Sequence, residues 1–136
     1  MSFAYPHISL VAILVAAVVQ FVLGFLWYSG MTPTGKRWAS EMGMAGAQGT
    51  PGVEMLIFPV GSVLAAWAVA VVVGWSGADG AMDGMRAAWV VAAAVAAQVV
   101  ASGVATGKAT LVLHAINVGY LVVGYALMGA IVAALS

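Results

Sequence analysis

The chain has 136 residues, 65% of them hydrophobic, and only eight Asp, Glu, Lys or Arg in all. A soluble domain carries about 25% charged residues, so the 6% here excludes water as the solvent for most of the surface. Formal net charge is zero and cysteine is absent, which leaves no basic tract for nucleic acid, no disulfide, no thiolate metal site and no cysteine nucleophile.

Four apolar runs fill the chain almost end to end: about Ile8–Tyr28, Met55–Trp75, Ala87–Ala105 and Leu111–Leu135. A hydrocarbon core of ~30 Å needs about 20 such residues as helix. The expected fold is all-α, a single integral-membrane four-helix bundle over 1–136. The first run lacks the basic n-region and small-x-small site of a signal peptide, so it is expected to be a retained span.

The first span opens after Pro6 and Ser9 and ends at Trp27-Tyr28, a pair suited to the membrane–water boundary. The longest connection follows, Ser29 to Glu54. Its first half, Met31 to Met44, predicts a short interfacial helix with Pro33 near the start and Trp38 and Met42 on one face. Trp38, Lys36 and Arg37 are expected to anchor it at the interface. Gly43 to Gly52 is Gly-rich, carries Pro51 and reads as loop. The second span holds Pro59, which frees the carbonyl of Met55. Trp75 to Gly80 predicts a turn, and Asp79, Asp83 and Arg86 fall in the loop before the third span. Thr106-Gly107-Lys108 turns the chain into the fourth.

Ala66, Ala70 and Gly74, and Ala88, Ala92 and Ala96, follow small-xxx-small spacing. Such stripes let helices approach closely in lipid, and packing within the bundle is their first reading.

Four spans put both termini on one face, A, and the first and third connections on the other, B. Lys36, Arg37 and Lys108 fall on face B, and Arg86 alone on face A. The excess of basic residues predicts a cytoplasmic face B and termini outside. His7 and His114 then stand about one membrane thickness apart, ~30 Å, which excludes a shared haem or metal within one copy. No cofactor is expected.

The polar residues inside the spans are the candidates for handling a solute or a proton: Gln20, Gln98, His114, Asn117 and Tyr125. At about 100° per residue, His114, Asn117, Leu121 and Tyr125 share one side of the fourth span. An ionisable group facing lipid is costly, so His114 should face the bundle, a cavity or the interface. The bland reading is that His114 and Asn117 hydrogen-bond neighbouring helices, and that Gln20 and Gln98 bond to each other near the midplane. Gln20, Gly24 and Trp27 form one stripe, with Gly24 a notch for a helix or a ligand.

The segment Gly24-Phe-Leu-Trp27-Tyr28-Ser29 followed by Gly35-Lys36-Arg37-Trp38 resembles the signature of a group of small four-span bacterial membrane proteins classed as a domain of unknown function. The fourth span, from His114-Ala-Ile-Asn117-Val-Gly119-Tyr120 through Met128-Gly129-Ala130, is similar to that family's closing helix. The resemblance covers essentially the whole chain. It implies a bacterial integral membrane protein and brings no activity with it.

No Ser–His–Asp set, paired intramembrane carboxylate or metal-ligand cluster is visible, so catalysis is not expected. The leading expectation is an oligomeric inner-membrane protein that binds or passes a small solute. The alternative is an accessory or scaffold protein that packs against another membrane complex. Lipid, a second copy or another membrane protein are the expected partners, and nucleic acid is not.

Overall fold

The computed structural model describes residues 9–29, 31–41, 54–107 and 110–135. Five helices follow in chain order: α1 (Leu10–Tyr28), α2 (Pro33–Glu41), α3 (Glu54–Ser76), α4 (Ala81–Thr106) and α5 (Leu111–Leu135). All but α2 are long and apolar enough to cross a membrane. The chain is thus a multi-pass, all-α bundle. His7, Met42, Lys108 and most of the Gly-rich connection lie outside the described residues.

Local chemistry sets the helix ends. Ser9 caps α1, its hydroxyl accepting from the Ala12 N–H at 3.2 Å. Thr32 does the same for α2, accepting from Gly35 N–H at 3.2 Å, with Pro33 in the first helical position. Thr110 caps α5 through Leu113 N–H at 3.2 Å. Gly107 closes α4 in the left-handed region at φ 67°, its N–H reaching the carbonyls of Gly103 and Val104. α3 runs unbroken through Pro59.

The third span begins earlier than its apolar run implied, at Ala81 rather than Ala87. Asp83 and Arg86 belong to the helix, where they pair at i,i+3 with 3.6 Å between them on the exposed side. The extra turn and a half carries Gly84 into the bundle.

α5 is central and packs against α1, α2, α3 and α4, whereas α1 and α4 do not touch among the described residues. The core joins Ile13, Ala16 and Ala17 of α1, Ala66, Val69, Ala70 and Val73 of α3, Ala88 and Ala92 of α4, and Tyr125, Met128 and Val132 of α5. Both alanine stripes therefore serve packing inside the bundle, although Gly74 is exposed. The largest seam, α4 with α5, is built on bare backbone. A Cβ on Gly84 would run into the Gly129 carbonyl, and one on Gly129 into the Gly84 carbonyl and the Ala88 methyl. Trp89 adds a bond across the same seam, from its indole N–H to the Val122 carbonyl at 3.2 Å.

Candidate functional site

Most of the polar chemistry gathers on face B, where the end of α1 meets the start of α5. Trp27 donates its indole N–H to the Ile116 carbonyl at 2.9 Å. Tyr28 donates its hydroxyl to Asn117 Oδ1 at 2.8 Å. One turn deeper, the Tyr120 hydroxyl reaches the Gln20 carbonyl at 3.4 Å. The Tyr120 ring lies edge-on to Tyr28, with centroids 5.3 Å apart, and 6.4 Å from the Trp27 ring. Trp38 of α2 covers the other side of Tyr28, again edge-on, at 5.1 Å. Ring pairs in this geometry add about 0.5–1.5 kcal/mol beyond the area they bury.

Two glycines make room for these rings. A Cβ on Gly24 would sit 2.8 Å from the Tyr120 hydroxyl oxygen, and one on Gly119 3.1 Å from the Trp27 ring. The notch at Gly24 is thus filled by a neighbouring helix of the same chain.

α2 is tied down at both ends. The Thr32 hydroxyl donates to the Leu26 carbonyl at 2.6 Å. Gly35 passes so close to Ser29 that a Cβ would collide with the Ser29 backbone. At the far end, Glu41 accepts from Arg37 at 3.2 Å and from the Thr110 hydroxyl at 2.7 Å. The segments Gly24 to Ser29 and Gly35 to Trp38 form one interlocked corner, in which Gly24, Trp27, Tyr28, Ser29, Gly35 and Trp38 each meet a neighbour.

The candidate residues divide. Gln20 is buried at the α1–α5 seam beside Gly124, and Asn117 is engaged by Tyr28. Tyr125 belongs to the apolar core. His114 is half-buried. Among the described residues, His114 Nδ1 and Gln20 Oε1 are buried without a hydrogen-bond partner. Gln98 stands apart. It is exposed on the outward side of α4, and its expected bond to Gln20 does not exist because α1 and α4 do not meet. Periodicity carried the signal: Gln98 stands about 200° around the helix from Ala96 and cannot share the buried alanine face.

Trp27 and Tyr28, expected as interfacial anchors, also bond between helices; Lys36 and Arg37 are exposed, and Trp38 lies edge-on to Tyr28. Sequence reasoning missed Tyr120 as the centre of the corner. Its spacing from Asn117 and Gly124, at i−3 and i+4, places all three on the α5 face that meets α1. It also missed the link from Glu41 to Thr110, which joins residues too far apart in the chain for spacing to reveal.

Among the described residues no group of three His, Asp or Glu side chains is placed to hold a metal ion. A shallow open groove of about 410 Å³ lies between α2 and the first turns of α5, walled by Trp27, Pro33, Val112, Ala115 and Ile116, with Thr34 and Arg37 at its polar rim.

No curated protein and no solved structure matches the chain. One family model does, that of "Protein of unknown function (DUF1761)", over residues 11–133. The chain, an all-α bundle with four helices long and apolar enough to cross a membrane, belongs to the DUF1761 family of proteins of unknown function.

Proposed function

We propose that this protein is a non-enzymatic membrane protein that works as an oligomer, joined through the outward face of α4, with a small solute bound or passed beside Gln98. The observation that carries the reading is the position of Gln98, exposed on the span that is least buried of the four. A carboxamide in hydrocarbon needs a partner for its donor and acceptor groups. A second Gln98 across a twofold axis supplies both, since an amide is its own complement. Ala94, Ala97 and Ala101 flank it, all exposed and all small enough for close helix approach. Within one copy, Asn117 and Tyr125 are already committed to helix packing. Gln20 and His114 keep one unpartnered buried atom each inside the copy, so Gln98 is the polar candidate of the spans left open to another copy or to a solute.

Native mass spectrometry from lipid nanodiscs tests this. A defined oligomer is expected, and Gln98→Leu should weaken it while leaving thermal stability of the single bundle unchanged. A wild-type protein that is monomeric would overturn the reading and favour an accessory role against a different membrane chain.

We also propose the bacterial inner membrane as its location, with face B cytoplasmic. The support is the excess of Lys36, Arg37 and Lys108 over Arg86. Impermeant thiol reagent should label Ser2→Cys in intact cells. Labelling only after the cytoplasm is opened would reverse the orientation.

A further inference from the structure

The groove between α2 and α5 has the layout of a lipid site, and we infer that it holds an anionic phospholipid. The inference rests on α2, α5 and the end of α1, and is independent of the α4 joint.

Three observations point to that occupant. The first is position. The groove lies at the face-B ends of α1 and α5, where hydrocarbon gives way to headgroups. Leu26 in the last turn of α1 and Leu111 at the start of α5 are 49% and 85% exposed at the same ends of their helices. The second is the split lining. Trp27, Val112, Ala115 and Ile116 form an apolar trough, and Arg37 stands over it. The Trp27 indole N–H is already used by Ile116, so the trough offers carbon surface alone there. An acyl chain fits that surface, whereas a polar solute does not. The third is charge. α2 carries Lys36 and Arg37 against the single carboxylate of Glu41, and both cations are exposed. Glu41 engages one edge of the Arg37 guanidinium at 3.2 Å, and it is held from behind by Thr110 at 2.7 Å. A guanidinium has five N–H donors, so most of them are left for a phosphate. Thr34 also lines the groove, its hydroxyl 3.4 Å from that of Thr32. A phosphate resting on Arg37 and Thr34 would direct its acyl chain down the trough.

Retained lipid is the readout. The protein is released from nanodiscs of equal phosphatidylglycerol and phosphatidylethanolamine, and bound lipid is weighed by native mass spectrometry. Wild type should retain phosphatidylglycerol in preference. Arg37→Gln should cut that preference about fivefold, the factor that one cation near an anionic surface supplies. Glu41→Gln breaks the same ion pair but keeps the cation, so it should retain or strengthen the preference; a loss as large as in Arg37→Gln would mean that the bridge, not the cation, matters, and would overturn the site. Ala115→Trp fills the exposed trough and should lower retention of both lipids. Equal retention of the two lipids by wild type, or an unchanged preference in Arg37→Gln, would also overturn it.

Discussion

The seams that α5 makes with α1 and with α4 hold by different means. Against α1 it presents side chains: Asn117 and Tyr120 take part in hydrogen bonds and in edge-on or tilted ring contacts with Tyr28, Gln20 and Trp27. Against α4 it presents their absence, Gly129 lying on Gly84 so closely that neither can carry a Cβ. In water an apolar seam gains from leaving the solvent, but lipid tails are as apolar as leucine. Two routes to helix association then remain, polar bonds that lipid cannot offer and contact area that only small residues permit. This chain leans on the first against α1 and on the second against α4, where Trp89 adds a single bond to the Val122 carbonyl.

The comparison orders the effects of substitution. The largest belongs to the glycine seam. Gly129→Val should cost about 3 kcal/mol, the upper range for overpacking, because the obstacle is the Gly84 backbone and not a side chain that can turn away. Denaturation by sodium dodecyl sulphate, followed by circular dichroism, measures it. Gly61 is the control: a Cβ there meets nothing within 4 Å, so Gly61→Val should be nearly neutral. Equal stability of the two variants would break the comparison.

The aromatic corner should yield more gently. Tyr28→Phe and Asn117→Leu should each cost about 1 kcal/mol, inside the ~0.6 to ~1.7 range for polar contacts between membrane helices. A double-mutant cycle should return most of that as coupling; additive losses would mean that the 2.8 Å bond contributes nothing of its own. Smallest of all is Tyr120→Phe. Its bond to the Gln20 carbonyl is long at 3.4 Å and the ring contacts survive, so about 0.5 kcal/mol or less is expected. A larger loss in the same denaturation assay would make the hydroxyl, and not the ring, the centre of the corner.

The same contrast explains what could be read from the chain. Hydrogen-bonding and aromatic residues are rare in this composition, so Trp27, Tyr28, Trp38 and Asn117 were visible, and the structure brings them together. The four spans and the short α2 were equally plain, since long apolar runs broken by Gly and Pro admit few alternatives. Glycine contact is another matter. With 17 Gly, Gly84 and Gly129 looked like background, and Gly84 fell in a stretch assigned to loop because Asp83 and Arg86 flank it. In the structure they pair at i,i+3 on the exposed side of a turn that is helical. Gln98 was misplaced for a different reason. Its depth was read from position along the helix, but its partner depends on direction around it.

α5 follows all its partners in the chain, and that has a consequence for biosynthesis. Until it enters the bilayer, α1 can hold only α2 and α3, while α4 can hold only α3. The α5 side of the aromatic corner and the whole glycine seam must wait for it, whereas α2 can already dock on the end of α1. Gly84 and the Gly24 notch therefore find their partners only when the last span arrives between α1 and α4, and the bundle closes around it.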